Sequence, residues 1–587
     1  MPGFILQIGK DKLHFCAEHR KRLVIQHLEG ERYQLERRVV NKFMNDRIFC
    51  ETSDYLVVME GIVLNNHDLM VQYRTESWPI CVVSMYEQEG ESFFNAFRGT
   101  FSGALYDKKA DKWIVYTCQT GEKQVFYTHT SDGYLLASEM RFMVETMKNN
   151  TMEVKVDKVG CYCSLTHGYC LEDRTLVESV FKLMPGHYAR IQKGKLEIVC
   201  YHRFSNSPVK ITIDEAVNEI DRLFRQAVKR SFDKDREYGY RHLSCLSGGL
   251  DSRMTVWVAH EMGYHDQTNI DYCQSGYLDF TVSQQIAIDL HHDYVFSTLD
   301  HGVFIPRYRF LSDLTYGCGF LLGHGYSLEN LIDYDQFGIF HTGQLGDVIL
   351  GSYMDSLAYG TPTIRDGAYS QELIDRIKNY RLKVEYENSE MFRLYNRGLN
   401  GINQGLLTFQ ENTESYSPFM DVDFFEFCLS IPLSLRFGHK LYFDWVLDKY
   451  PGAAAYVWEK TKKKISRFEN RVPRTMKVLG YEVPHFMDPN FGKYLHGFIL
   501  RRLGLRKKGE KPHTIVQKSS YNMNPVDYWY DTNPSIKEFM DSFWEENNKI
   551  IPGIQLHDDM QHLFKDCVVY DKLQCLSVLS AIKLIRE

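Results

Sequence analysis

Leu243-Ser244-Cys245-Leu246-Ser247-Gly248-Gly249-Leu250-Asp251-Ser252 is the stretch from which the rest of the chain can be read. A short strand-like run enters a glycine turn, and a helical pattern follows from Asp251 to about Met262. Strand, glycine turn and helix open an α/β unit with a parallel sheet. Adjacent glycines let the backbone turn tightly and approach a ligand without a Cβ clash. The N–H groups at the start of the following helix then offer a site for phosphate oxygens. Leu246, Ser247, Gly248, Gly249, Leu250, Asp251 and Ser252 are the candidate phosphate-binding residues, with the two serine hydroxyls as added donors. A carboxylate at Asp251 would repel phosphate unless a cation lay between them, so it reads as a magnesium ligand. The Walker loop carries a lysine where this one carries Asp251. A bare strand-to-helix turn would need only one of the glycines.

Upstream, the first two hundred residues are β-rich. Alternating runs at 55–59, 101–106 and 113–116 are separated by polar turns such as 107–111. Pro185-Gly186 turns the chain into a strand-like 187–191, and 204–208 reads as a linker. The period then changes to that of a helix over 214–230, opened by an aspartate in the cap position. Beyond the loop the pattern is mostly helical, with a strand at 338–341.

Composition narrows the classes. The chain has 587 residues, enough for roughly two to four domains at about 150 residues each. Apolar residues at 44% and charged residues at 25% are ordinary for a globular protein and exclude disordered, collagen-like and coiled-coil chains. The 69 Lys and Arg against 76 Asp and Glu give a net charge of −7, which argues against a protein built to neutralise nucleic-acid phosphates. The 14 cysteines include no C-x-x-C pair, and Cys161 and Cys163 read as buried small hydrophobes. A reducing cytoplasm is the expected compartment. The apolar run near Met1 is too short for a signal peptide, so none is expected, and without a run of about 18 apolar residues no membrane span is expected.

The glycine loop resembles the PP-loop of ATP pyrophosphatases, which cleave ATP between its α and β phosphates. The wider pattern resembles glutamine-hydrolysing asparagine synthetases. In the first part it rests on Phe97-Arg98-Gly99-Thr100-Phe101, on 121–127, on Leu135-Leu136-Ala137-Ser138-Glu139-Met140 and on Met184-Pro185-Gly186-His187. In the second it rests on 247–252, on Ser275-Gly276-Tyr277-Leu278-Asp279, on Thr342-Gly343-Gln344-Leu345-Gly346-Asp347 and on Pro418-Phe419-Met420-Asp421. The resemblance implies an Ntn-hydrolase-like four-layer αββα sandwich over 1–205 and an α/β PP-loop synthetase domain with a parallel sheet and many helices over 206–587.

It implies, further, that 246–252 and Gly343 hold ATP, with Mg²⁺ shared by Asp251 and Asp347. The reaction implied is adenylation of a carboxylate, release of pyrophosphate, and attack by ammonia or an amine; nominally this converts aspartate to asparagine. The family places a catalytic lysine in an Arg-x-Lys motif. Lys460-Thr461-Lys462 fits best, with Lys462 in that role and Lys460 as the alternative. Gln344 stands at the position of a family glutamate and cannot take a proton. Glu414-Ser415-Tyr416-Ser417-Pro418 lacks the family's arginine. The second basic run, 501–508, reads as a solvated or subunit-facing surface.

The glutaminase half departs further. The family's N-terminal Cys-Gly-Ile, whose thiol attacks glutamine, stands here as Met1-Pro2-Gly3-Phe4. Its Asn-Gly-Glu-Ile-Tyr-Asn appears as Glu60-Gly61-Ile62-Val63-Leu64-Asn65, and its Arg-Asp pair as Thr117-Cys118. An inactive first domain is expected, with nitrogen arriving as ammonia or an amine, free or from a separate protein. The expected partners are a small-molecule carboxylate and that donor, with no nucleic acid and no membrane; a homodimer is left open. Alternatives are a β-lactam or peptide-cyclising synthetase, a sugar-acid amidating enzyme, a PP-loop RNA-modifying enzyme, or a non-catalytic pseudoenzyme.

Overall fold

The computed structural model describes residues 3–17, 22–307, 312, 314–319, 328, 331–354, 356–467, 475–478, 481–484 and 520–587. Pro2 and the basic run 501–508 lie outside the described residues.

Two six-stranded antiparallel sheets are built from residues between Gly3 and Cys200. In the first, Gly3–Ile8 pairs on one side with Tyr33–Val40 and on the other with Tyr134–Ala137. In the second, Gly99–Asp107 lies between Tyr55–Val63 and Lys112–Thr117. The alternation seen in sequence decides which face each residue takes. Leu56 and Val58 point between the sheets, where they meet Phe4, Leu6, Ala104 and Leu136. Val57 and Met59 point the other way, onto Trp78, Val82 and Met85 of the helix Trp78–Glu89. On the outer face of the first sheet, Ile5, Leu135 and Ala137 pack with Phe142 and Met143 of the helix Met140–Asn149 and with Cys161 and Cys163 of the helix Lys158–His167. The layers are therefore helix, sheet, sheet, helix. Both cysteines are fully buried, as small hydrophobes would be.

The segment 204–208 is without regular structure, but it is no free tether. Phe204 is buried against Phe425, with ring centroids 4.5 Å apart, and its N–H donates to the Tyr395 hydroxyl at 2.7 Å. The helix that follows, Ile213–Glu237, is longer than its pattern suggested and is capped by Thr212 rather than by an aspartate. Thr212 Oγ1 accepts from Glu215 N at 3.3 Å and Glu215 Oε2 accepts from Thr212 N at 2.9 Å, a reciprocal capping box.

A five-stranded parallel sheet follows in the order Asp293–Thr298, Gln267–Cys273, Arg241–Cys245, Phe337–His341, Ser415–Tyr416. The long helix is clipped to it by Asp235. Its Oδ2 pairs with His242 Nδ1 at 2.8 Å and His341 Nε2 at 2.7 Å, and its Oδ1 accepts from Ile339 N at 2.7 Å. The C-terminal helix Val569–Arg586 packs its buried face on the helix Lys158–His167, where Gln574 Nε2 donates to Ser164 O at 2.7 Å. No helix among the described residues is long and apolar enough to cross a membrane.

Candidate active site

From Arg241–Cys245 the chain proceeds to neighbours on one side of the sheet, and it later returns to Phe337–His341 on the other side. The loops leaving these two adjacent strands therefore diverge, which opens a crevice at their carboxyl ends. A cavity of about 690 Å³ occupies it, lined by Ser247, Gly249, Leu250, Asp251 and Ser252 from one loop and by Thr342, Gly343, Gln344 and Asp347 from the other. Two glycines allow the loops to touch. A Cβ on Gly343 would lie 2.2 Å from Ser252 N, and one on Gly346 would lie 2.7 Å from Asp251 Cγ.

Asp251 begins the helix Asp251–Glu261 and is the electrostatic centre of the crevice. Its Oδ1 accepts from the Tyr442 hydroxyl at 2.7 Å and its Oδ2 from Asp347 N at 3.0 Å. Burial and the Asp347 charge push its carboxyl up to about 8, against the pull of those two hydrogen bonds. Asp347 is more open, with 36% of its side chain exposed, and Lys460 Nζ lies 3.9 Å from its Oδ2. Two carboxylates lining one cavity, one half-buried and one more open, form a donor set that suits Mg²⁺, which takes one or two carboxylates and completes its shell with waters and phosphate oxygens. The residues present therefore fit that cation.

The glycine loop is less open than its sequence suggests. Ser247 N donates to Ser252 Oγ at 2.9 Å, Gly249 N to Ser247 Oγ at 3.2 Å, and Gly248 N to Asp279 Oδ1 at 3.0 Å. Backbone donors out of reach of water require acceptors, and nearby side chains supply them here. Leu250, Asp251 and Ser252, where the first helical N–H groups have no acceptor within the helix, line the cavity. Arg253 buries its guanidinium beneath the loop, donating to Gly248 O and Val457 O, both at 2.8 Å. Burial pushes the Asp279 carboxyl up to about 8, with Asp271 and Glu459 adding to the effect.

The lysines separate. Lys460 lines the cavity beside Glu459 and Trp458. Lys462 has a left-handed backbone, φ 59°, and its ammonium lies 4.3 Å from the Tyr521 ring centroid, away from the cavity-lining set. Gln344 does face the cavity, and its amide nitrogen donates to Asn403 Oδ1 at 2.9 Å. Asn403 in turn donates to Thr120 O at 3.1 Å, joining the crevice to the loop after the strand Lys112–Thr117. Tyr442 and Asn403 were invisible as site residues in sequence, because each lies far along the chain from its partner. Asp279 was visible only as part of a quoted segment.

Glu60, Thr117 and Cys118 mark where a glutamine site would lie by resemblance. Glu60 is fully buried, with Oε2 3.1 Å from Arg47 Nη1 and Oε1 3.6 Å from Arg37 Nε. Burial pushes its carboxyl up to about 7 although both arginines pull the other way. Arg47 also pairs with Glu414 at 2.7 Å, and Glu414 pairs with Lys123 at 2.6 Å. Against the cost of burial, Lys123 and Arg47 hold the Glu414 carboxyl below its usual range. Burial pushes the Cys118 thiol up to about 11, so it is no ready nucleophile.

Residues 45–203 match a family described as a glutamine amidotransferase domain. Glutamine-hydrolysing asparagine synthetase 3 of Bacillus subtilis (strain 168) is 23% identical over 267 residues, covering 43% of this chain and 40% of that protein. Asparagine synthetase B of Escherichia coli (strain K12), also glutamine-hydrolysing, is 24% identical over 214 residues, covering 35% of this chain and 32% of that protein. A solved glutamine phosphoribosylpyrophosphate amidotransferase of B. subtilis, complexed with ADP and GMP, is 10% identical with a TM-score of 0.24, covering 52% of this chain and 85% of that one. The chain spans about a third to two fifths of the length of the curated relatives it matches. It is similar to glutamine-hydrolysing asparagine synthetases over that part, and to a glutamine amidotransferase domain over residues 45–203.

Proposed function

We propose that this chain is an ATP- and Mg²⁺-dependent carbon–nitrogen ligase of the asparagine-synthetase kind, acting on a small-molecule carboxylate in the cytoplasm. The observation that carries the reading is the crevice between two diverging strand ends, in which a Ser-Gly-Gly loop and a pair of carboxylates, Asp251 and Asp347, meet. Residues 246–252 and Gly343 bind ATP, and Asp251 and Asp347 hold the cation. Bound there, Mg²⁺ would offset the charge that develops on pyrophosphate as the carboxylate is adenylated. Asp279 and Arg253 hold the loop in shape from beneath. Lys460, at the crevice wall, stabilises the oxyanion when ammonia or an amine attacks. Lys462 faces Tyr521, so the catalytic lysine is assigned to position 460. Aspartate to asparagine is the nominal reaction.

The N-terminal half is assigned as a glutaminase-like Ntn-hydrolase sandwich that does not hydrolyse glutamine. Glu60, at the position of the family's oxyanion asparagine, brings a carboxylate already engaged by Arg47 and Arg37. A negative group there repels a developing oxyanion instead of donating to it. The domain boundary is placed near residue 205.

ATP–pyrophosphate exchange across a panel of carboxylates tests the reading, because it reports adenylation without knowledge of the nitrogen donor. Exchange is expected with at least one carboxylate. Lys460→Ala is expected to lower amide formation on the order of a hundredfold, with Lys462→Ala close to wild type. The opposite pattern would return the role to Lys462, and absence of both exchange and ATP binding would sink the ligase reading. Incubation with glutamine alone is expected to release no glutamate.

A further inference from the structure

The helix Ile554–Asp566 ends at Cys567, where the backbone becomes extended. Its spacing puts His562 and Asp566 on one face, and His562 Nδ1 pairs with Asp566 Oδ2 at 3.0 Å. The other ring nitrogen, Nε2, lies 3.7 Å from Cys567 Sγ and 4.0 Å from Oε2 of Glu372. Glu372 comes from a distant segment, just before the short helix Ile374–Arg376. Donor atoms of Glu372, His562 and Cys567 all lie within 4.8 Å of one another.

The separations in this cluster have the lengths that metal ligation requires, although 3.7 Å is also within reach of a hydrogen bond to sulfur. Tetrahedral zinc, with Zn–S near 2.3 Å and Zn–N near 2.05 Å, sets sulfur and nitrogen about 3.6 Å apart, and nitrogen and carboxylate oxygen about 3.4 Å apart. The 3.7 Å between Cys567 and His562 has the length of such an edge, and a shift of the Glu372 carboxylate from 4.0 Å would bring it to ligand distance. The other such three-residue cluster among the described residues, Asp235 with His242 and His341, has separations of 2.8 and 2.7 Å. Those are too short for two ligands of one ion and normal for hydrogen bonds, which is why that cluster reads as a structural clip.

We propose that His562, Cys567 and Glu372 bind a zinc-class divalent cation, with Asp566 orienting the imidazole through Nδ1 and a water completing the tetrahedron. A carboxylate behind a metal-binding histidine is the usual way to fix its tautomer. The surroundings are acidic: Asp566 and Asp571 join Glu372 in acting on the thiol, with Lys572 as the opposing cation. Binding releases the Cys567 thiol proton to solvent and leaves a thiolate on the metal. The ion would tie segment 371–376 to the C-terminal helices, alongside the Arg376–Asp559 ion pair at 2.7 Å.

The full-length chain, stripped with a chelator and dialysed, is titrated with Zn²⁺ against a chromophoric zinc indicator, and separately with Co²⁺. One equivalent of Zn²⁺ is expected to bind, and Co²⁺ is expected to give a thiolate-to-metal charge-transfer band. Cys567→Ser is expected to abolish that band and weaken Zn²⁺ binding at least tenfold. Asp566→Asn is expected to keep the band and weaken binding by about 10-fold. Circular dichroism checks that each variant is folded. Absence of the band in the wild type, or equal Zn²⁺ affinity in Cys567→Ser, overturns the assignment.

Discussion

Tyr442 shows how much one hydroxyl can matter beside a half-buried carboxylate. It donates to the carboxylate that burial and Asp347 already make reluctant to ionise. Removing the donor disfavours the charged form further. Tyr442→Phe is therefore expected to raise the Mg²⁺ concentration for half-maximal exchange by about 10-fold, as loss of a group orienting a metal ligand does. A Mg²⁺ titration at fixed ATP would show this as a shifted midpoint with little change in fold. An unchanged midpoint would show that the Tyr442 hydroxyl does not support the cation site. Asp279 acts differently, since its oxygen fills a backbone donor of the glycine turn and shapes the loop.

Among elements, the helix Ile213–Glu237 does the most to hold the parallel sheet. Its buried stripe runs from Ala216 through Ile220, Phe224 and Val228 to Phe232, and Asp235 near its end ties the two strands that carry the crevice loops. The capping box at its start satisfies two N–H groups that would otherwise lack partners. Thr212→Ala is expected to cost about 1 kcal/mol, seen as a lower urea midpoint with unchanged slope. A midpoint equal to wild type would show that tertiary packing alone holds that helix end. The aspartate expected at the cap lies instead in the first turn, where a negative charge favours the helix dipole.

Across the whole molecule, buried titratable groups set the response to pH. Burial pushes Glu60 and Asp271 up to about 7 against opposing charges and hydrogen bonds, and, with Asp271 and Glu459 adding to it, Asp279 up to about 8. Burial holds His167, His202 and His292 down at about 4. The two sets act with opposite sign. Below about pH 6 the unfolded chain binds more protons at the histidines while the folded chain binds more at the carboxylates, so the effects largely oppose each other. Between about pH 6.5 and 8.5 the carboxylates dominate: the folded state holds protons that the unfolded state has released. Stability is therefore expected to fall as pH rises through this window, by at most about 1.4 kcal/mol per pH unit for each group. Asp271→Asn should flatten the fall by one group's share in thermal melts at pH 6.5, 7.5 and 8.5. A melting temperature that rises across that window would contradict the assignment.

The loop at 247–252, the strand before it and the helix after it were legible because their signals are local: two glycines for the turn and a helical period just beyond. The alternation at 55–59 and 101–106 was legible for the same reason, since a strand with two buried faces still divides its side chains by parity. Which lysine meets the crevice was not legible, because Lys460 and Lys462 sit in one basic run and only the turn at Trp458–Lys463 sends them to different sides. Nor could the ion chain from Glu60 through Arg47 and Glu414 to Lys123 be read from the chain, as it joins residues more than 350 positions apart. Local backbone preference and periodicity are written in neighbouring residues, so they survive in sequence. Charge pairing and pocket walls depend on which distant segments packing brings within a few ångströms, so they exist only once the chain has folded.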